Sequence, residues 1–248
     1  RSRTSAFSPM SGGWESREAR HEKEDCMEPG TAGIAHINKY SREHFDGGLI
    51  CHWTAHKGRI LRATRRYDIG DIILREAPLH IVQAANCSAF RTVEKLCKDY
   101  EDEFDYEPLW YWCAVQSLTE DQLHGARQEG LTGVSPPVQH NLLLLHHEDN
   151  AEDARPAHRL VRALVPNANP AIVERLIQVW VLNCFEYSEC PQGFSTYFFS
   201  SFMSHSCWPN VVWYYEGADH VLRCRRPISI GDEVCISYLP ESGLMQSA

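Results

Sequence analysis

Residues Ser204-His205-Ser206-Cys207-Trp208-Pro209-Asn210 bring an imidazole, a thiol, two hydroxyls and a carboxamide onto one short segment. Farther along, Ile236-Ser237-Tyr238 closes a β-prone run and offers a phenol. A phenol has a pKa near 10, stays protonated at neutral pH, and both donates and accepts hydrogen bonds. Far upstream, Lys57-Gly58-Arg59-Ile60 joins two cations to a glycine, the residue that lets backbone approach a ligand closely. Such groups suit a cleft that binds and orients polar molecules. A lone histidine is most often a satisfied buried polar group, and His205 is expected to hold structure rather than act as a general base. No two of the ten cysteines form a Cys-x-x-Cys pair, so a zinc site built on that pair is excluded and no metal is expected.

Elements that must position these groups can be read from periodicity and turn residues. Arg59–Ala63 and Ile72–Ala77 are β-prone runs separated by Tyr67-Asp68-Ile69-Gly70-Asp71, whose glycine suits a tight reversal. Pro78 interrupts the second run and Leu79–Gln83 resumes it. From Asn86 to Asn183 the spacing becomes helical, with Leu96, Tyr100 and Phe104 recurring at i+4. Trp110–Leu118 and Asn141–His147 read as further helices. Asn169-Pro170 opens the clearest one, because asparagine caps and proline suits the first helical position. Val173, Ile177, Trp180 and Val181 give it a broad apolar face. After residue 195 the texture is β again. Val211–Tyr215 and His220–Arg225 flank the hairpin signature Gly217-Ala218-Asp219, and Val234–Tyr238 forms the last strand. The turn Ile230-Gly231-Asp232 after Arg225-Arg226 echoes Ile69-Gly70-Asp71 after Arg65-Arg66. The rest of the chain does not repeat, so this is one turn used twice.

The order and spacing of these motifs resemble the SET domain, the fold of S-adenosylmethionine-dependent protein lysine methyltransferases. Lys57-Gly58-Arg59-Ile60-Leu61-Arg62-Ala63-Thr64 is similar to the segment that opens that domain. The Ile69-Gly70-Asp71 turn and strand Ile72–Glu76 follow, then His205-Ser206-Cys207, the Gly231-Asp232-Glu233 turn and the Ser237-Tyr238 end. The match spans about residues 55–85 and 180–240. Asn183-Cys184-Phe185 ahead of the His-Ser-Cys motif makes the SET-and-MYND subgroup look closest, although its zinc-binding MYND module has no counterpart. Ile60 stands where the family has a second glycine, and Ser204 where it has asparagine. The cysteine-rich tail of many relatives is absent.

The resemblance implies an α+β fold, a SET-type β-clip of short twisted sheets with a C-terminal pseudoknot and a large helical insert. It divides the chain into an extended arm (1–48), a SET domain (49–240, with β core 49–85 and 184–240 and insert 86–183) and a tail (241–248). It implies S-adenosylmethionine as cofactor and Tyr238 as the catalytic residue. Lys57, Gly58, Arg59, Ile60, Asn183, Ser204, His205 and Tyr238 would bind the cofactor. Phe185, Tyr197 and Trp208 would wall the channel that admits a lysine side chain. The departures leave a second reading open, a catalytically silent SET-fold subunit of a larger assembly.

Bulk properties bound the partners. With 43% hydrophobic and 23% charged residues the chain reads as globular, and no apolar run approaches the roughly 20 residues a membrane helix needs. Membrane insertion is not expected. The net charge of −9 argues against a duplex-binding protein and favours cationic protein partners, such as lysine-bearing segments. Nucleus or cytoplasm is the family's default compartment. The Arg/Ser-rich start, without an acid in its first ten residues, keeps an organelle open and fits the remnant of a longer protein equally well.

Overall fold

In the computed structural model, residues 33–148 and 154–239 are described. Helix α1 (Ile34–His44) precedes a hairpin of β1 (Leu49–Thr54) and β2 (Gly58–Ala63), then β3 (Ile72–Glu76) and β4 (His80–Gln83). The helical region holds α2 (Ser88–Asp99), α3 (Pro108–Gln116), α4 (Glu120–Leu123), α5 (Pro136–Leu143), α6 (Arg155–Leu164) and α7 (Pro170–Asn183). The chain returns to β structure with β5 (Phe185–Glu189), β6 (Gln192–Thr196), β7 (Ser204–His205), β8 (Val211–Glu216), β9 (Asp219–Cys224) and β10 (Cys235–Ile236).

These strands form four small sheets, ordered β1-β2, β10-β7, β3-β9-β8 and β4-β6-β5. Two of the sheets join strands from opposite sides of the helical insert, so the β core is discontinuous in sequence. Among the described strands, β7 and β10 pair in parallel, Cys235 opposite Ser204 and Ile236 opposite His205, and the other strand pairs are antiparallel. The architecture is α+β. Among the described residues, no helix is long and apolar enough to cross a membrane.

Three expectations need correction. The extended arm was expected to run to residue 48, but residues 34–44 are the helix α1, docked on β1. Ile37 and Ser41 are fully buried. The Ser41 hydroxyl donates to the Leu49 carbonyl at 2.5 Å. The Asn38 carboxamide donates to the Cys51 carbonyl (3.1 Å) and accepts from its N–H (2.6 Å). These bonds satisfy backbone groups of β1 on the side away from β2. Residues 1–32 of the expected arm and the tail 241–248 lie outside the described residues.

The helix expected over 141–147 lies earlier, at α5, because Pro136 occupies its first turn, where the missing N–H has no consequence. The last strand is only β10, not Val234–Tyr238. Its partner β7 is two residues long, and beyond Ile236 the backbone turns to meet His205.

Asn169 caps α7 as its sequence demands, accepting from the Ala171 N–H at 2.9 Å. Trp180, fully buried on α7, donates its indole N–H to the Ser117 hydroxyl at 2.8 Å. α3 packs against α7, and these two helices form the floor of the insert. In the hairpin β8–β9, Gly217 takes the first loop position at φ +64.

The two Ile-Gly-Asp turns correspond atom by atom. Tyr67 and Ile228 exchange both backbone hydrogen bonds, each at 3.0 Å. Around the first turn, Gly70 N–H donates to Cys224 and Cys224 N–H to Asp71; around the second, Gly231 donates to Ala63 and Ala63 to Asp232. Each aspartate side chain accepts from the N–H three residues back, at 2.8 Å. The pair relates the start and end of the β core by a local two-fold.

Candidate active site

A cavity of about 1030 Å³ opens between β2, the C-terminal half of α7, the segment Ser201–His205 and Tyr238. It therefore gathers residues from both halves of the β core and from the insert. Volumes of this order accommodate a nucleoside-sized ligand together with a side chain.

Lys57 and Gly58 sit at the β1–β2 turn. Lys57 Nζ lies 2.7 Å from Glu233 Oε2, and this hydrogen bond raises the lysine pKa. Desolvation works to raise the Glu233 carboxyl, but hydrogen bonds from Lys57 and Ser204 outweigh it and hold the group below its ordinary value. Gly58 adopts φ +67, a conformation that side-chain-bearing residues resist, and a Cβ there would meet nothing within 4 Å. Arg59 donates to the Leu144 carbonyl, and its guanidinium lies 4.9 Å from the centre of the Phe202 ring. Desolvation, with a smaller push from Arg175, lowers its pKa.

Asn183 ends α7. Its amide donates to the His146 and Val179 carbonyls (2.7 and 2.8 Å) and accepts from the His146 N–H (3.3 Å). The side chain thus ties the insert to the helix end while bordering the cavity.

His205 fixes the C-terminal segment. Its Nδ1 accepts from the Tyr238 N–H at 3.0 Å, which places the ring proton on Nε2, 3.3 Å from Cys207 Sγ. The His205 and Tyr238 rings stand 5.3 Å apart. The Tyr238 hydroxyl donates to the Met203 carbonyl at 2.5 Å. Tyr238 is 62% exposed as a residue, but its hydroxyl end is partly buried; desolvation there, then the neighbouring Cys235, pushes the phenol pKa up.

Of the residues expected from sequence, Lys57, Gly58, Arg59, Asn183, Ser204, His205 and Tyr238 line this cavity. Ile60 does not. Side chains alternate along a strand, so with Arg59 turned to the cavity, Ile60 points the other way and is 1% exposed. The three aromatic residues expected to wall a channel also lie elsewhere. Tyr197 is fully buried, its hydroxyl donating to the Ala218 carbonyl at 2.7 Å. Phe185 packs edge-on to Tyr197 and Trp213, each ring centre 5.5 Å away. Trp208 is 71% exposed beneath Arg226. Burial against β8 and β9 decides the place of the first two, and the loop after β7 carries Trp208 outward.

Several lining residues have no place in the sequence motifs: Arg175, His146, His147, Phe202 and Met203. Arg175 had a signal. It lies two helical turns before Leu182 and Asn183, on the same face of α7. The described lining carries Arg59, Arg175 and Lys57, the last paired with Glu233 just outside it, and no carboxylate of its own, in a chain whose net charge is −9. An anionic group on a ligand therefore finds complementary charge here.

Comparison with curated proteins finds no match. Among solved structures, the fold is similar to the SET domain of LSMT, crystallised with lysine and AdoHcy. The TM-score is 0.45 at 10% identity, over 86% of this chain and 55% of that one. The chain thus spans about half the length of that protein's chain. The family description "SET domain" matches residues 58–239, from the first glycine of the cavity to the residue after Tyr238. The chain belongs to the SET domain family.

Proposed function

We propose that this chain is an S-adenosylmethionine-dependent protein-lysine N-methyltransferase. One observation carries the reading: Lys57–Arg59, Asn183, Ser204–His205 and Tyr238, from four distant segments, border one cavity. The order of Asn183-Cys184-Phe185 and His205-Ser206-Cys207 supports the SET-and-MYND subgroup as nearest kin.

S-adenosylmethionine supplies, when bound, an electrophilic methyl group on a sulfonium. The lining fits it: Arg59 and Arg175 match its carboxylate, and the glycine backbone at Gly58 leaves room beside it. The protein's own tasks are to hold the partners in line, exclude water and receive a neutral amine. A free lysine has a pKa near 10.4 and is almost wholly protonated at neutral pH. The apolar wall of Val181, Leu182, Phe202 and Met203 disfavours the ammonium by desolvation. The Tyr238 hydroxyl, already donating to Met203, keeps lone pairs to accept from the amine and orient it. His205 holds Tyr238 in place and moves no proton.

The second reading, a catalytically silent SET-fold subunit, has its own support. The Asn183 amide is occupied by main-chain partners, and the aromatic trio lies outside the cavity. Titration calorimetry with S-adenosylmethionine, followed by mass spectrometry of a lysine-bearing protein pool, separates the two. Saturable binding with transfer of methyl groups to lysine is expected. Binding without transfer favours the silent subunit, and absence of both heat and saturation overturns the cofactor assignment.

A further inference from the structure

The cavity wall from Ser201 to His205 is anchored by a group that never touches the cavity. Glu76 ends β3 and is 1% exposed. In the β3–β9 register it lies directly opposite His220, so the two side chains share one face of the sheet. Both reach the same short segment. Glu76 Oε1 accepts from the Phe199 N–H at 2.6 Å, and Oε2 accepts from the Ser200 N–H at 2.8 Å and the Ser200 hydroxyl at 2.7 Å. His220 Nδ1 lies 3.0 Å from that hydroxyl. Ser200 opens a single 3-10 turn, Ser200–Phe202, and Ser201, Phe202, Met203, Ser204 and His205 then line the cavity in unbroken succession.

A carboxylate accepting two backbone N–H groups at the start of such a turn acts as an N-cap supplied from a distant strand. Here it fixes where the turn begins, and therefore the height of the Met203 carbonyl that holds the Tyr238 hydroxyl. We propose that Glu76 is the positioning residue of the cavity wall, setting Ser201–His205, and through Met203 the Tyr238 phenol, from the opposite side of the sheet. The cofactor consequence rests on the methyltransferase reading; the positioning itself does not.

The decisive substitution is Glu76→Gln. It is nearly isosteric, yet whichever way the amide turns, its NH2 meets a backbone N–H, of Phe199 or of Ser200, and one donor loses its acceptor. Amide hydrogen exchange is compared at pH 8, where Glu76, its pKa raised to about 7, is ionised, in wild type, Glu76→Gln and Val93→Ala, the last truncating a fully buried side chain on α2 far along the chain. The expected result is exchange at the Ser201–His205 amides faster by about tenfold in Glu76→Gln, the ratio one lost hydrogen bond gives. In Val93→Ala those amides should keep their wild-type rates relative to the rest of the protein. Calorimetry with S-adenosylhomocysteine should show about tenfold weaker binding in Glu76→Gln alone. Unchanged exchange at 201–205, or equal acceleration in both variants, overturns the proposal. Should Glu76→Gln not fold, Ser200→Ala keeps both backbone bonds, and faster exchange confined to the same amides is expected; wild-type exchange there overturns the idea. If wild type itself shows no binding heat, the cofactor reading fails while the exchange result still judges Glu76.

Discussion

Tyr238 is held from two sides, its backbone N–H by His205 and its hydroxyl by Met203. That arrangement separates placement from chemistry and makes Tyr238→Phe informative. The backbone stays where His205 holds it, while the hydroxyl that would orient the amine, and its bond to Met203, are lost. Methyl transfer should slow by about ten- to a hundredfold, the ratio of a hydrogen bond worth 1–3 kcal/mol. S-adenosylhomocysteine affinity should hardly change, which a calorimetric titration beside single-turnover rates would check. An equal fall in both quantities would mean that the phenol binds rather than orients. Arg175 makes the opposite prediction. Arg175→Met keeps an apolar stem on α7 and removes the cation facing the cavity, so affinity should weaken by about tenfold with the bound-state transfer rate retained. Tyr238 and His205 were legible because their motif is local in sequence. Arg175 was legible only through its place two turns before Asn183; by itself, a cation among Val173, Leu176 and Ile177 reads as the solvent edge of a core helix until the fold shows what that edge faces.

At the scale of elements, the two Ile-Gly-Asp turns set the geometry of both ends of the β core, and their glycines are required by backbone conformation alone. Gly70 has φ +94 and Gly231 φ +88, and at neither would an added Cβ meet an atom within 4 Å. Gly70→Ala and Gly231→Ala should therefore each destabilise by about 1–2 kcal/mol, the left-handed backbone penalty for a side-chain-bearing residue. Equal losses in denaturant midpoint are expected, since the hydrogen bonds around the two turns match; a much larger loss at one would show that the two-fold is superficial. These turns, the Gly217 hairpin and the Asn169 cap could be read from sequence because each rests on local backbone chemistry. α1 could not. Its sequence, Ile34–His44, is largely polar, Gly33 offers no side-chain cap, and its stability comes from Ile37, Asn38 and Ser41 docking on β1. Two of the expected channel aromatics lie outside this cavity for a related reason. Phe185 and Tyr197 belong to a cluster with Trp213, Tyr215 and His220 that only the pairing of distant strands creates.

Across the whole molecule, buried ionisable groups set how stability answers pH. Burial lowers the pKa of His80 to about 4 and of His220 to about 3. In the unfolded chain both imidazoles bind protons below about 6.5, while the folded rings refuse them, so acid favours unfolding from 6.5 downward. Glu76 acts in the opposite sense. Desolvation, opposed by its hydrogen bonds from Phe199 and Ser200, raises it from 4.5 to about 7. Between those values the folded carboxyl keeps a proton that the unfolded one releases, so its contribution is complete below 4.5 and is lost as pH rises through 7. From pH 6.5 down to 4.5 two histidines oppose one glutamate, and the histidines prevail. These three groups should place their joint stability optimum near pH 6.5 and take away about 3 kcal/mol by pH 4.5, each unit of unbalanced shift being worth about 1.4 kcal/mol. His220→Asn removes one of the two histidines and leaves His80 and Glu76 in balance. Urea midpoints for this variant should then be nearly flat across that window while wild type falls. Parallel decline of the two proteins between pH 6.5 and 4.5 would show that carboxylates elsewhere, and not the buried imidazoles, govern acid unfolding of this SET domain.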